Sequence, residues 1–365
     1  MSNGSSRSWW SAVLEPDPAM ESYRQGLAQR LQREPIKHRL RMGLFQVEAL
    51  SDRLRWQRRR WGSGKACRDS TVSVDPCLQP PTYRYGNLRG PWIESFFCAW
   101  WLRHRKEAKV TYLPLFFDPI YFNSQSQKYS SEAFAFTLRR LERTLAGLDP
   151  HRPYFTILGM YDFPIWNWSA FPRNVAVFSA AGWGDLAIPL LSGHRPFHNP
   201  PKDLHLSFMG SLSGPSDLNG FRTRMFESLN SIAYFGKGSN WKQIMGRSIF
   251  SLCPRGLGRT SLRLVEALSL GSIPVYLWDD REWLPYQDEL DWTEFSISLP
   301  IDRVHELPAI LGSLSADRIA AMQQKIEQLY PRYFTLEATC RWIHARAERL
   351  STLSDVLALT SHREV

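Results

Sequence analysis

The chain is 365 residues long, 43% hydrophobic and 22% charged, which excludes a disordered or fibrous protein and leaves room for two domains of ordinary size. Its formal charge of +10 is uneven, because residues 1–70 carry 14 Lys and Arg against 7 Asp and Glu. Five scattered cysteines with no Cys-x-x-Cys pair signal neither a disulfide framework nor a zinc site, and the absence of His-Glu-x-x-His and Asp-x-Asp removes the usual metal-binding patterns.

Residues 17–61 place Leu27, Leu31, Leu40, Leu44, Val47, Leu50 and Leu54 at helical spacing, which predicts a helical N-terminal extension interrupted at Pro35. Its densest basic piece sets Trp56 and Trp61 among Arg53, Arg55, Arg58, Arg59 and Arg60. Such a piece is either a basic helix packed through its tryptophans or, across residues 37–61, a peripheral contact with anionic membrane; nucleic acid is not the expected partner. Residues 62–82, rich in Pro and Gly, read as linker. No run of 18 apolar residues occurs and the first residues lack the apolar core of a signal peptide, so the expected location is cytoplasmic.

From residue 83 the pattern alternates: a helix at 93–105, a strand at 110–115, a helix at 131–145, then strands at 154–158 and 175–178. After the turn-rich stretch 193–201 a second series begins, with strands at 204–209, 232–235, 249–252 and 273–276 and helices at 218–229 and 241–245 between them. Residues 309–333 and 336–359 read as closing helices. This is the pattern of an α/β protein with mostly parallel sheet. Expected boundaries are 1–79 for the extension and linker, 80–200 and 201–335 for the two α/β units, and 336–365 for a final helix.

Within the second series, the stretch from Cys253 to Tyr276 reads as strand, glycine loop, helix, turn and strand. Gly256 and Gly258 are expected to take positive φ, and a helix beginning near Thr260 and Ser261 would aim unpaired N–H groups at an anion. Arg255, Arg259 and Arg263 crowd that helix end, where the dipole repels cations unless an anion is present. Three planar guanidinium forks suit a diphosphate. Glu266, one turn beyond Arg263, could accept hydrogen bonds from sugar hydroxyls; Arg263 could equally be paired with it. Asp279-Asp280 reads as a solvated turn after a strand.

The stretch resembles the exostosin-like family, glycosyltransferase family 47. The matching pattern is Cys253-Pro254-Arg255-Gly256, then Ser261, Arg263, Leu264, Glu266 and Ala267 in the helix, then Gly271, Ile273, Pro274 and Val275. Weaker echoes include Trp92-Ile93-Glu94-Ser95-Phe96-Phe97, Tyr161-Asp162, Ser179-Ala180-Ala181-Gly182, Gly184-Asp185 and Trp283-Leu284-Pro285-Tyr286. The resemblance implies two Rossmann-like domains facing a cleft, the GT-B type, with the C-terminal helix crossing back onto the first domain. It also implies a metal-independent, inverting transfer from a nucleotide-sugar, UDP being the expected nucleotide, to a glycan or lipid-linked glycan. No separate cofactor is expected. Family members from eukaryotes are Golgi-anchored, and the chain departs from them in having no apolar run of spanning length.

By this reading Arg255, Gly256, Gly258, Arg259, Thr260, Ser261, Arg263 and Glu266 hold the donor, with Arg259 also stabilising the leaving diphosphate. The acceptor's proton must go to the first domain, where Asp118, Asp162 and Asp185 are the candidates, Asp162 and Asp185 being the preferred two. Either could instead be a turn former or a helix cap. Trp166 and Trp168 suit an acceptor platform, although most aromatics in this half should be core. The alternative from another class is a non-catalytic glycan- or nucleotide-binding protein that retains the loop.

Overall fold

The computed structural model describes residues 71–72, 74–75, 78–79, 90–104, 109–120, 131–159, 171–193, 195–213, 217–256 and 258–364. The basic extension, including residues 37–61, lies outside the described residues, as do Asp162, Trp166 and Trp168.

The first unit comprises α1 (Ile93–His104), β1 (Thr111–Tyr112), α2 (Ser131–Ala146), β2 (Tyr154–Leu158), β3 (Val175–Ser179) and β4 (Leu186–Ala187). Its strands lie in the order β1-β2-β3-β4, all parallel. Every residue of β2 and β3 is buried. They read as unbroken apolar runs because a parallel strand covered on both faces has no solvent side. The turn after β3 requires Gly184, at φ 153°, where a Cβ would lie 2.5 Å from Ser179 Cβ. That turn lets the Asp185 N–H donate to Val177 O at 2.9 Å.

The second unit comprises β5 (Leu204–Met209), α3 (Phe221–Leu229), β6 (Tyr234–Gly236), α4 (Trp241–Arg247), β7 (Ser248–Pro254), α5 (Leu262–Ser269), β8 (Ile273–Trp278) and β9 (Ile297–Pro300). Its parallel sheet has the order β6-β5-β7-β8-β9. From β5 the chain steps outward to β6 and returns on the other side as β7. The winding direction therefore reverses between β5 and β7, and open parallel sheets bind ligands outside the carboxyl ends of the strands at such a reversal. α5 stops at the left-handed Gly271 (φ 60°), where a Cβ would stand 2.4 Å from Asn199 Oδ1.

Four helices follow: α6 (Leu307–Gly312), α7 (Ala316–Tyr333), α8 (Leu336–Arg349) and α9 (Leu353–Thr360). α8 packs on α1 and α9 on β3, so the chain returns to its first unit. Trp100 Nε1 donates to Glu337 Oε1 at 2.7 Å, and Thr360 Oγ1 donates to Arg173 O at 2.8 Å. One hydrophobic core runs through both units, joining Phe97, Trp101, Phe155 and Phe178 to Phe208, Tyr276 and Ile343. Trp100, Trp101, Phe116 and Phe117 are core residues, as most aromatics of this half were expected to be. Among the described residues no helix is long and apolar enough to cross a membrane.

Asp185 closes this return path and is not a proton acceptor facing a cleft, which corrects the expectation for it. Its Oδ1 accepts from Arg363 Nε at 2.8 Å, while Oδ2 accepts from Arg363 Nη2 and from the Val177 N–H at 2.7 Å. Both side chains are 0% exposed. A carboxylate enclosed by a guanidinium and a backbone donor offers nothing to an acceptor hydroxyl; it seals the chain end against β3. Breaking a buried pair from one side leaves an uncompensated charge. Arg363→Ala and Asp185→Asn are each expected to lower the unfolding free energy in urea by about 3–5 kcal/mol, with the double variant costing less than the sum.

Candidate functional site

β7 delivers residues 255–261 to the carboxyl edge of the second sheet, beside the reversal of winding. The Arg255 N–H donates to Leu277 O at 2.9 Å and the Gly256 N–H donates to Thr260 O at 2.9 Å, closing the loop. Gly256 does not take the expected positive φ, and a Cβ there would meet Thr260 O at an ordinary 3.5 Å. At Gly256 the loop is closed by a hydrogen bond, without a left-handed φ. Ser261 is the extended N-cap residue and the helix starts at Leu262, slightly later than expected. Thr260 and Ser261 are buried, and Thr260 Oγ1 has no hydrogen-bond partner among the described residues.

The arginines of the loop converge on the turn after β8. Arg255 Nη1 lies 2.6 Å from Asp279 Oδ1 and 3.2 Å from Asp280 Oδ1. Arg259 places Nε and Nη2 at 2.9 and 2.6 Å from Asp280 Oδ2. Asp279 and Asp280 are therefore counter-ions of the loop, not the detached solvated turn that the sequence suggested. Burial opposes the charge on Asp280, but hydrogen bonds from Arg259 and Asp279 and the fields of Arg259 and Arg255 outweigh it and bring the carboxyl down to about 2.

Arg259 also reaches across to the first unit. Its N–H donates to Ala181 O at 3.1 Å, its Nη1 donates to Gly182 O at 3.2 Å, and its guanidinium lies over the Trp183 ring at 4.3 Å. These three residues follow β3, so the carboxyl edges of the two sheets meet at Arg259. Trp283 and Tyr286 hold the same seam: Trp283 Nε1 donates to Ser179 O at 3.2 Å, and the Tyr286 N–H donates to Ala187 O at 3.0 Å.

Arg263 and Glu266 are brought together, with ion-pair partners different from those of Arg255 and Arg259. Glu266 Oε2 accepts from Arg263 Nη1, and Oε1 lies 2.9 Å from Arg195 Nη2, with the glutamate side chain 4% exposed. Of the two roles open to Arg263, the structure shows the pairing. The expectation that Glu266 presents its oxygens to sugar hydroxyls is corrected, because both oxygens are taken by guanidiniums. Its face of α5 turns toward the strap that connects the units, where Arg195 sits. Arg195 and Arg263 both lie over the Trp241 ring, at 5.4 and 4.9 Å.

Sequence reasoning missed Arg222 of α3, which donates from Nη1 to Ser211 O at 2.7 Å and from Nη2 to Arg255 O at 3.2 Å. It ties the loop after β5 to the loop after β7 at the reversal itself. A single arginine in an ordinary amphipathic helix carries no signal of this. Glu94 was also missed, although a carboxylate inside the apolar run of α1 is a visible anomaly. Its Oε1 accepts the N–H groups of Asp118 and Gly159, each at 3.3 Å, at the carboxyl edge of the first sheet. A Cβ on Gly159 would stand 2.1 Å from Asp118 Oδ2 and 3.6 Å from Glu94 Cδ, so two buried carboxyls share one small space. Burial, and then the field of Asp118, pushes Glu94 well above its ordinary 4.5.

That shift has a definite sign. A carboxyl whose folded value is raised stabilises the fold in its protonated form below the unfolded value of 4.5, and this contribution fades as pH climbs toward the folded value. Glu94→Gln keeps an oxygen for the two N–H groups and does not titrate. Its melting temperature relative to wild type is expected to rise steadily as pH increases above about 4.5; a difference that is flat with pH would show that Glu94 titrates normally.

The chain matches the Exostosin GT47 domain over residues 182–314, a segment that runs from the glycine turn after β3 through the arginine loop to α6. Exostosin-1 of Drosophila melanogaster is 35% identical over 96 residues, covering 26% of this chain and 12% of that protein. A probable glucuronosyltransferase of Oryza sativa subsp. japonica is 30% identical over 145 residues, covering 37% of this chain and 34% of its own length. The match thus spans about a third or less of these curated relatives. Among solved structures, HepE of Anabaena in complex with UDP-glucose overlays at 10% identity and a TM-score of 0.37, covering 65% of this chain and 78% of that one. The pneumococcal O-GlcNAc transferase GtfA overlays at 10% identity and a TM-score of 0.34, covering 61% and 60%. Through the arginine loop and the strands and helix that carry it, residues 182–314 are thus similar in sequence to the Exostosin GT47 domain.

Proposed function

We propose that the chain is a glycosyltransferase that moves a sugar from a nucleoside diphosphate, UDP in the first instance, to a carbohydrate hydroxyl, with inversion and without a metal ion. The observation that carries this reading is the convergence of Arg255 and Arg259 at the carboxyl edge of the second sheet, where it meets the first. The acceptor oxygen attacks the anomeric carbon, the bond from that carbon to the diphosphate oxygen breaks, and the electron pair leaves with the diphosphate. Arg255 and Arg259 stand where that charge develops, and preorganised cations act there without reorganisation. The buried Thr260 hydroxyl, without a partner among the described residues, suits a hydrogen bond to the same group.

Glu266 acts in this scheme through Arg263 and Arg195, orienting them beside Trp241, and touches no donor atom itself. The acceptor's proton passes to a carboxylate of the first unit. Asp162 keeps that part as a proposal, since it lies in sequence just after Gly159, the residue that follows β2; Trp166 and Trp168 keep the part of acceptor platform. The name of one relative, a probable glucuronosyltransferase, supports the transfer of a sugar.

Purified protein given a panel of UDP-, GDP- and CDP-sugars is expected to hydrolyse or transfer one of them. Arg255→Ala should lower kcat/KM about 10²–10³-fold, as loss of one preorganised donor does, while excess chelator leaves the rate unchanged. Tight nucleotide binding with no turnover on any glycan would instead indicate a binding protein, and a rate abolished by chelator would overturn the metal-free mechanism.

A further inference from the structure

The turn after β8 places two carboxylates on the forks assigned to phosphate. Asp279 Oδ1 and Asp280 Oδ1 take Arg255 Nη1 at 2.6 and 3.2 Å, and Asp280 Oδ2 takes Arg259 Nε and Nη2 at 2.9 and 2.6 Å. The turn is kept compact by the Asp280 N–H, which donates to Asp279 Oδ1 at 2.9 Å. We propose that Asp280, with Asp279, is an internal counter-anion that a diphosphate displaces on entering, so that Asp280 sets the affinity of the site for the donor and for the diphosphate product. This rests on the donor reading above.

The two forks remain in place when the carboxylates leave. Arg259 is held from the other side by Ala181 O, Gly182 O and the Trp183 ring. Arg255 is fixed through its backbone, its N–H on Leu277 O and its carbonyl under Arg222. Asp280 itself is 49% exposed, so it can rotate into water without stranding a buried charge. A phosphate and a carboxylate compete for the same N–H donors. The phosphate wins because it brings more charge and more acceptor oxygens to the planar guanidinium edges. The tethered carboxylate nevertheless taxes every binding event by the fraction of time that it holds the forks. The tax matters most for the free diphosphate left after transfer, which carries more charge than the donor and would otherwise linger. A neutral nucleoside meets neither fork and displaces nothing.

The test is calorimetric titration of wild type, Asp280→Asn, Asp279→Asn and Arg255→Ala with UDP, inorganic pyrophosphate and uridine, after melting curves show each variant folded. Asp280→Asn is expected to bind UDP and pyrophosphate about fivefold more tightly, the range of one exposed ion pair, with uridine unchanged and Asp279→Asn shifting the same way by less. If UDP binds Asp280→Asn no better than wild type, while Arg255→Ala weakens it, the donor reading stands and the counter-anion falls. If pyrophosphate tightens in Asp280→Asn but UDP binds no better than pyrophosphate, the counter-anion stands and the nucleotide reading falls. If none of the probes binds any of the proteins, both fall.

Discussion

Arg259 is the residue that ties the carboxyl edges of the two sheets together. Its backbone and guanidinium face opposite demands: N–H and Nη1 close on Ala181 and Gly182 in the first unit, while Nε and Nη2 close on Asp280 in the second. A partly enclosed cation needs each of its donors met, since an unmet one costs its full desolvation. That need fixes the spacing of the two carboxyl edges more tightly than the shared apolar core can, because the core is non-directional. Trp283 and Tyr286 then hold the seam along its length.

Around this point the basic residues fall into two groups with different partners. Arg255 and Arg259 are matched by carboxylates that are partly open to water, whereas Arg263 and Arg195 share the buried Glu266. The first group can exchange its partners. The second is a fastening, since removing Glu266 would leave two guanidiniums without a counter-ion against α5. The loop before α5 therefore carries an adjustable electrostatic surface, and the helix itself carries part of a fixed one.

Much of the fold was legible from the sequence, because both sheets are parallel and buried and such strands announce themselves as apolar runs between turn residues. β5, β7 and β8 fall where the pattern put them. The arginine loop was legible as a unit, but its partners were not. Nothing local to Asp280 says that a strand crossover will carry it onto Arg259, and nothing in Gly184-Asp185 announces Arg363. Glu266 was misjudged for the same reason: helical periodicity gives a residue's face, while the identity of what covers that face depends on the path of residues 195–201. The charged partners that decide these roles, Arg195, Asp280 and Arg363, all come from distant sequence or from another element.

The return of the chain to its first sheet has a consequence for how the protein forms. β3 is covered by α9, and Asp185 meets its guanidinium only at Arg363, a separation of 178 residues. The cover of β3 and the guanidinium partner of Asp185 are therefore both supplied by residues that follow the second sheet in sequence. Contacts of such long range are slow to close and expose apolar edges while they wait. The two units are sequential in the chain but share this closing contact, so a cut within α8 or α9 would uncover the first sheet as well.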